Sequence, residues 1–312
     1  MSEPKEVEHE ITVPAPAAEV YRLIADVANW PRIFPPTIYV DHLERSGNEE
    51  LIGIWATANG EAKNWTSRRV LDPEGLRITF RQTVSTPPVA SMGGSWIIES
   101  ADEGSARVRL LHDYTAVGDD PAGLAWIDEA VDRNSRSELA ALQKNVELAT
   151  AGAELTFSFE DTVRVDGAAK DLYDFVNEAD RWSERLPHVA TVRLTEDTPG
   201  LQTLEMDTRA KDGSTHTTRS YRVCLDGRKI AYKQTTLPAL MNLHTGHWTF
   251  RETDEGTFAS SQHTVVLRPE NIAKILGPAA GVAEAREYVQ GALSTNSRAT
   301  LNHAKAYAEA RR

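Results

Sequence analysis

The sequence predicts an α+β protein made of two tandem domains, each a curved antiparallel sheet wrapped around a long C-terminal helix with an internal cavity. Two observations support this prediction. Residues 17–35 (AAEVYRLIADVANWPRIFP) recur as residues 169–187 (AKDLYDFVNEADRWSERLP), and both copies sit in the same order of strand, helix and short alternating segments. A repeat of this length indicates a duplicated domain rather than an array of short units.

Composition limits the classes of protein that the chain can belong to. The 312 residues suffice for two domains with their own cores, and 40% hydrophobic with 26% charged residues indicate a globular protein. A net charge of −12 argues against a nucleic-acid partner. No segment resembles a signal peptide or a membrane span, and the single Cys224 suits a reducing compartment. We therefore expect a cytoplasmic protein without a membrane partner.

Each copy is predicted to begin with a strand that leads into a helix. Apolar and polar residues alternate over 7–13 and again over 155–165, as in half-buried strands. Helical spacing of apolar residues follows at 20–27 and 172–176. Asp166 is the expected N-cap of the second of these helices.

Six short strands and a long amphipathic helix are predicted in the rest of each half. Turn residues such as 72–75 (DPEG) and 226–227 (DG) separate the alternating segments. The closing helices are predicted at roughly residues 121–149 and 282–310, from apolar residues at helical spacing.

The two halves differ in one insertion. The second copy carries an extra segment at 269–281 (PENIAKILGPAAG), which we expect to form a lengthened loop or an extra turn. The stretch around Gly152 suits a linker, so the predicted domains are residues 1–150 and 151–312.

A polar constellation recurs on one predicted strand of each copy. Trp65, Ser67 and Arg69 are two residues apart, which on a strand places all three on one face over roughly 13 Å. Ser220 and Arg222 repeat the pattern in the second half. Because a duplicated core preserves size more readily than one particular arginine, this recurrence favours a functional role over a solvated arginine and simple core tryptophans.

Other aromatic and polar residues recur with this strand. Asn134 is three residues after Val131 and is expected on the inward face of the helix, while Trp30 is expected to cap the mouth of a cavity. The recurring set comprises Trp30, Trp96, His112 and Asn134 in the first copy, and Trp182, Trp248, His263 and Asn296 in the second.

These motifs resemble those of a known family. The stretch 30–35 (WPRIFP), the strand 65–70 (WTSRRV), Trp96 and the helix with Asn134 are similar to the polyketide aromatase/cyclases. That resemblance implies the helix-grip fold of the Bet v 1/START superfamily. Since both halves fit, the chain resembles the two-domain aromatase/cyclases of bacterial type II (aromatic) polyketide synthesis.

The resemblance implies an activity and partners. Such enzymes take a poly-β-ketone on an acyl carrier protein, among other polyketide synthase components, close its first ring by aldol condensation and aromatise it by loss of water. The two-domain type implies a reduced chain and a C7–C12 ring, with no metal or organic cofactor. One departure is Thr37, where single-domain relatives have a pocket tyrosine; Tyr39 lies close by.

Roles for the candidate residues follow from chemistry and this resemblance. Arg69 is expected to donate hydrogen bonds to an enolate or aldolate oxygen, since a guanidinium stays protonated. Ser67 would orient a carbonyl or water and Asn134 a second carbonyl, between walls formed by Trp30, Trp65 and Trp96. The general base is unassigned, with His112 as one nominee.

The second copy is expected to be the weaker site. It repeats Ser220 and Arg222 together with Trp182, Trp248 and Asn296, but Thr218 replaces the indole of Trp65. We expect the first pocket to close the ring, while the second assists dehydration or mainly supports the fold.

Two alternatives stay open. The domains could be non-catalytic carriers of a hydrophobic ligand such as a lipid, a quinone or a polyketide, although such a pocket needs no buried cation. Alternatively, the second half could be an interaction platform, with residues 269–281 as its distinctive feature. Arg32 and Arg68 are candidate contacts for an acidic carrier protein.

Overall fold

The computed structural model describes residues 3–58, 61–151, 153–209, 213 and 215–312. The chain forms two compact units, Met1–Ala151 and Gly152–Arg312. Each unit holds one seven-stranded antiparallel sheet and a long C-terminal helix, so the predicted α+β helix-grip class is confirmed.

In the first domain, β1 (Lys5–Val13) leads into α1 (Ala17–Ala25) and α2 (Trp30–Ile33), and α3 (Pro121–Ala151) ends the domain. Six strands lie between them: β2 (Thr37–Ser46), β3 (Glu49–Ala58), β4 (Glu61–Asp72), β5 (Arg77–Gln82), β6 (Val89–Asp102) and β7 (Ser105–Ala116). The sheet order is β1-β7-β6-β5-β4-β3-β2, so β1 pairs with the last strand and the other strands form consecutive hairpins.

In the second domain, β8 (Thr156–Val165) leads into α4 (Ala169–Asn177) and α5 (Trp182–Arg185). Its other strands are β9 (Val189–Thr198), β10 (Leu201–Arg209), β11 (Thr215–Leu225), β12 (Lys229–Thr236), β13 (Met241–Thr253) and β14 (Gly256–Leu267). A short α6 (Ile272–Leu276) precedes the long α7 (Val282–Glu309). The sheet order β8-β14-β13-β12-β11-β10-β9 repeats that of the first domain.

The core of each domain lies between the long helix and the inner face of the sheet. In the first domain, Leu139, Leu142 and Val146 of α3 pack with Val108 and Leu110 of β7. Leu142 is fully buried, and burying such a side chain stabilises the fold by about 1.5–3 kcal/mol. An apolar stripe at three- and four-residue spacing therefore holds the helix against the sheet.

The extra segment of the second domain is part of its core. Ile272 of α6 is 5% exposed and packs in one cluster with Leu240, Met241 and Val289. The segment therefore covers one end of the second domain, rather than forming the simple lengthened loop that was one of two expectations.

The predicted N-cap of α4 is wrong. The helix is preceded by Ala168, which makes no side-chain cap, and Asp166 lies two residues further back. The Glu252 carboxylate, from β13, instead accepts a hydrogen bond of 2.9 Å from the backbone N–H of Ala169. A residue distant in sequence thus fills the capping role, which local pattern alone does not reveal.

Within the described ranges, no helix is both long and apolar enough to cross a membrane.

Candidate active site

The residues predicted on β4 share the inner face of the first sheet. Arg69 is 1% exposed and Ser67 is 4% exposed, whereas Trp65 is half-buried. Arg68, between them, is exposed on the opposite face. The two-residue spacing therefore places the Arg69 guanidinium inside the domain.

The Arg69 guanidinium lies against the C-terminal end of α1. Its Nη2 donates to the carbonyl oxygens of Ile24, at 3.3 Å, and Ala25, at 3.1 Å. Its Nη1 is 3.3 Å from Oε1 of Glu50, and its Cζ lies 5.2 Å from the centre of the Trp30 ring. Helix-end carbonyls, a carboxylate and an aromatic face all favour a cation at this position.

Part of the guanidinium makes no hydrogen bond in the described part of the chain, although Nη1 forms the ion pair with Glu50. Nε and Nη1 of Arg69, and Oε1 of Glu50, are buried without a hydrogen bond among the described residues. Desolvation lowers the pKa of Arg69 to about 10, partly offset by the charge of Glu50. Arg69 therefore stays charged at neutral pH and retains N–H groups that could donate hydrogen bonds to a substrate oxygen.

The Arg69–Glu50 pair lies beside an open cleft. The cleft, of about 680 Å³, runs between α1 and the β2–β4 part of the sheet, and Glu50 contributes to its lining. His42, also in the lining, has its Nε2 2.9 Å from Oε2 of Glu50. The sequence analysis missed Glu50, because its position directly opposite Arg69 depends on the β3–β4 register, which the structure shows.

The indoles of the first domain are fixed by neighbours. Trp30 is half-buried, and its Nε1 donates to the Ile24 carbonyl at 2.9 Å. The Phe34 ring meets Trp30 edge-on at 5.6 Å and stacks with Trp96 at 6.0 Å. Trp30 thus forms a wall against Arg69 and α1, which differs from the predicted cap over a cavity mouth.

Ser67 and His112 contact the protein itself. The Ser67 hydroxyl donates to the Arg81 carbonyl of β5 at 3.3 Å. His112 is half-buried, with its Nδ1 3.4 Å from the Ser135 hydroxyl and its ring edge-on to Phe80 at 5.5 Å. Desolvation, with a smaller contribution from the charge of His9, lowers the pKa of His112 to about 4, so its imidazole is neutral near pH 7.

The expectation that Asn134 lies on the inward face of α3 is wrong. Asn134 is exposed, whereas Ser135 is 1% exposed and follows buried Val131 by four residues. The inward stripe of α3 runs at four-residue steps at this point, which brings Ser135 rather than Asn134 onto His112. In the second domain Asn296 is half-buried and Ser297 is again the buried neighbour.

The second domain repeats the arginine but changes its partner. Arg222 is 2% exposed, its Nη2 donates to the Val176 carbonyl of α4 at 2.6 Å, and its Cζ lies 5.2 Å from the Trp182 ring. Gln202, not a carboxylate, is opposite Arg222 in the ladder. Nη1 of Arg222 has no hydrogen-bond partner among the described residues. Ser220 and Trp248 are buried on the same inner face.

A buried polar network fills the interior of the second domain, and the sequence analysis missed it. Tyr232 Oη is 2.8 Å from His263 Nδ1 and 3.3 Å from His244 Nε2. His263 Nε2 is 2.7 Å from the Ser297 hydroxyl, and His244 Nδ1 is 2.9 Å from Oε1 of Gln234. If both imidazoles are neutral, every one of these contacts can have one donor and one acceptor.

The two interiors therefore differ in accessibility. In the first domain Trp65, Phe80, Met92 and His112 are all half-buried on the inner face. Their counterparts in the second domain are buried, with exposures of 9% or less: Thr218, Tyr232, His244 and His263. The first domain thus retains accessible interior surface at the position where the second is filled by its network.

In the described part of the chain, no three His, Cys, Asp or Glu side chains come together in a way that could hold a metal ion.

The duplicated fold agrees with comparisons to known proteins. The family model described as "polyketide cyclase / dehydrase and lipid transport" matches residues 4–147 and again 156–309. The granaticin polyketide synthase bifunctional cyclase/dehydratase of Streptomyces virginiae is 60% identical over 299 residues, with coverage of 95% of this chain and 97% of its own. The corresponding actinorhodin protein of Streptomyces coelicolor is 46% identical over 320 residues, with 99% of both chains covered.

Solved structures give the same result. The crystal structure of the di-domain ARO/CYC BexL, from the BE-7585A biosynthetic pathway, is 68% identical and superimposes with a TM-score of 0.92 over 99% of this chain and 100% of its own. The di-domain ARO/CYC StfQ, from the steffimycin pathway, is 36% identical with a TM-score of 0.90, over 98% and 99% of the two chains. The chain belongs to the polyketide cyclase/dehydrase and lipid transport family, as a two-domain enzyme of the cyclase/dehydratase kind.

Proposed function

We propose that this enzyme closes the first ring of a poly-β-ketone carried by an acyl carrier protein, and then aromatises that ring by loss of water. The proposed reaction joins C7 to C12 of a chain already reduced at one ketone, in the cytoplasm, together with other polyketide synthase components. The names of the relatives, "bifunctional cyclase/dehydratase", support the two reaction types.

One observation carries the proposal: two nitrogen atoms of the buried Arg69 guanidinium, Nε and Nη1, make no hydrogen bond among the described residues. During an aldol reaction the attacked carbonyl oxygen gains negative charge, and a preorganised donor in a desolvated site stabilises that charge. Arg69 is held in place by the Ile24 and Ala25 carbonyls, so little reorganisation is needed during the reaction.

Positioning is the second contribution. A methylene between two ketones loses its proton easily, so the difficult step is to bring one carbon of a flexible chain to one carbonyl. Trp30, Trp65 and Trp96 provide rigid apolar surface, and Ser67 adds a hydroxyl on the same face as Arg69. Correct orientation of reacting groups supplies on the order of 7–11 kcal/mol in ideal cases.

We place ring closure in the first domain. Its interior surface at Trp65, Phe80 and His112 is accessible, whereas Tyr232 and His263 are buried in the network of the second domain. The second domain then mainly supports the fold or assists dehydration. Arg69 and Arg222 are thus similar in contacts but different in role.

The test is product analysis in a reconstituted minimal synthase with its ketoreductase. With the wild-type protein we expect one first-ring pattern by mass spectrometry and NMR, and with Arg69→Ala we expect the mixture that forms without any cyclase. Arg107→Ala, on the outer face of β7, is the matched control and should retain the wild-type pattern.

The same assay separates the alternatives. A non-catalytic carrier would leave the products unchanged when Arg69 is replaced, and equal loss from Arg69→Ala and Arg222→Ala would contradict the division between the domains. The interaction-platform alternative places carrier binding on residues 269–281, but the packing of Ile272 in the core indicates a structural role for that segment.

A further inference from the structure

One carboxylate of the first domain has a surrounding unlike that of the other acidic residues on α3. Glu138 is half-buried, three residues after the buried Ser135 that contacts His112. Its carboxylate makes no hydrogen bond or ion pair with any residue that the structure describes. By contrast, Asp128 and Asp132, on the same helix, pair with Lys5 and with His9 and Arg136.

Two properties of Glu138 together place its side chain at the surface of the interior of the first domain. Part of its side chain is accessible, yet the surrounding protein desolvates it enough to raise its pKa to about 7. A carboxylate on an outward helix face keeps its water, so desolvation does not raise its pKa in this way. Glu138 also lies three residues after Ser135 and four before Leu142, both buried on the inward face of α3, so it faces the interior of the domain, where Phe80, Met92 and His112 are half-buried.

Desolvation is the sole cause of that pKa shift. The elements packed against α3 are β1, β6, β7 and α2. The titratable groups nearest this part of the helix are engaged elsewhere: His9 with Asp132, and Lys5 with Asp128. His112 is neutral, and Arg32 of α2 bonds to Asn29. The outward acids and arginines of β1, β6 and β7 pair with one another: Glu8, Glu10, Glu99, Arg107 and Arg109.

The duplicated domain provides an internal comparison. Asn134-Ser135-Arg136 of α3 recurs as Asn296-Ser297-Arg298 of α7, which places Thr300 where Glu138 stands in the first domain. Thr300 is 4% exposed, and its hydroxyl donates to the Asn296 carbonyl of its own helix at 3.0 Å. The helix-grip fold therefore does not require a carboxylate here, and the carboxylate occurs only in the copy with the accessible interior.

We propose that Glu138 is the general base of the first domain. This inference rests on the proposed function. The Glu138 carboxylate removes a proton from the methylene between two ketones, and the C–H electron pair forms the new C–C bond to the attacked carbonyl carbon. The π pair of that carbonyl moves to its oxygen, near the donors of Arg69. The oxygen then takes up one proton, which Glu138 returns, so the carboxylate is regenerated and no external reagent is consumed.

This assignment fits the chemistry better than His112 does. A base acts best when its pKa is near the working pH, and Glu138 meets this condition while His112, with a pKa near 4, does not. His112 instead offers a neutral hydrogen-bonding group one helical turn away, through Ser135.

The experiment compares Glu138→Gln, Glu138→Asp and the matched control Glu129→Gln, which changes an exposed acid of the same helix. The readout is the initial rate of formation of the correct first ring in the reconstituted synthase, from pH 5.5 to 8.5. For the wild type we expect the rate to rise with pH through about 7, as the carboxylate loses its proton. Glu138→Gln should lower the rate on the order of 10²-fold or more and abolish this rise. Glu138→Asp should retain the rise, and Glu129→Gln should match the wild type.

A second readout does not depend on activity. The folded-state pKa of Glu138 lies above its ordinary value of 4.5, so its charged form opposes folding as the pH rises from 4.5 through 7. Glu138→Gln should therefore unfold at a higher urea concentration than the wild type at pH 8, and the difference should vanish towards pH 4.5. A variant that simply failed to fold would show the opposite.

The outcomes distinguish the two levels of the proposal. If wild-type protein leaves the product pattern of the synthase unchanged, the proposed function fails. If the wild type directs the first ring while Glu138→Gln keeps its rate and its pH dependence, only the assignment of Glu138 is overturned.

Discussion

At the scale of single residues, the arginine of each domain joins a short helix to the sheet while presenting donors inward. Arg69 contacts the end of α1 and Glu50, whereas Arg222 contacts the end of α4 and lies opposite Gln202. Both guanidiniums lie over a tryptophan, at 5.2 Å in each case. The two arginines are therefore structural as well as candidate catalytic groups, and activity losses must be separated from stability losses.

The buried pair of Arg69 and Glu50 gives the first stability prediction. Replacing Arg69 by Met leaves the Glu50 carboxylate, which is 2% exposed, without its cation. Breaking such a pair costs about 3–5 kcal/mol, whereas replacing both partners by apolar residues costs much less. We expect Arg69→Met to lower the free energy of unfolding by that amount, and the double variant with Glu50→Leu to recover a large part of it.

Urea denaturation of the two single variants and the double variant measures this coupling. If the two single losses add in the double variant, the pair contributes nothing and the helix-end carbonyls alone hold Arg69.

The histidine network predicts how stability depends on pH. Desolvation lowers the pKa of His263 to about 4; the charge of Asp161 opposes this shift to a smaller extent, and that of His247 adds slightly to it. Between pH 6.5 and 4 the histidine is protonated in the unfolded chain but neutral in the folded chain. The free energy of unfolding therefore decreases as the pH falls from 6.5 towards 4. His263 alone is expected to lower the free energy of unfolding by about 3 kcal/mol at pH 4.

Urea denaturation at several pH values tests this. In the variant His263→Gln, the slope of unfolding free energy against pH near pH 5 should fall by one proton's worth, about 1.4 kcal/mol per pH unit. An unchanged slope would mean that His263 is protonated in the folded protein or exposed in it.

At this scale, site residues could be predicted from the sequence where they recur in both halves, and residues that do not recur were missed. Arg69 and Arg222 recur, so their burial on the inner face was predictable from spacing. His263 and Ser297 recur as His112 and Ser135, but Tyr232 and His244 have Phe80 and Met92 as counterparts, so recurrence indicated only part of the network. Glu50 and Glu138 have no carboxylate counterpart either, and their burial depends on tertiary surroundings that alternation and helical spacing do not specify.

At the scale of elements, the inner face of each sheet depends on a glycine beside the polar row. A Cβ on Gly94 would lie 1.9 Å from the Leu111 carbonyl oxygen, and one on Gly246 would lie 2.1 Å from that of Gln262 and 2.7 Å from Tyr232 Oη. These are backbone and hydrogen-bonded atoms that cannot move freely. Because glycine has no side chain, an aromatic ring of the neighbouring strand can extend over it and approach the histidine.

A pair of glycine substitutions tests this reading. We expect Gly94→Ala to destabilise the protein by about 2 kcal/mol or more, because the strand must shift. Gly291→Ala, in α7 with nothing within 4 Å of the added Cβ, should stabilise it by about 1 kcal/mol. Thermal or urea unfolding of both variants gives the comparison, and equal effects would contradict the steric argument.

The order of elements was predictable because their signals are periodic. Alternation gave one strand and then six more in each half, and four-residue spacing gave the long closing helices. The cap of α4 was not predictable, since Glu252 reaches it from another strand. The prediction that Asn134 lies on the inward face of α3 was also wrong, because positions three and four residues apart are both compatible with one helix face.

At the scale of the whole molecule, duplication has produced two domains with the same sheet order and different interiors. Accessible residues in the first domain correspond to a filled polar network in the second, and α6 covers one end of the second domain alone. Under the proposed function, ring closure in the first domain leaves the second copy to support the fold or to assist dehydration. The family and the fold were predictable from repeated motifs, but this difference between the interiors required the structure.

The central claim is that substrate oxygen is held by Arg69 in the first domain. The most direct measurement is a crystal structure with a stable, non-cyclising analogue of a poly-β-ketone. We predict the analogue inside the first domain, with one of its oxygens within hydrogen-bonding distance of Nε or Nη1 of Arg69, and an unaltered network around His263 in the second. An analogue bound only in the second domain, or one whose oxygens do not contact Arg69, would contradict the account.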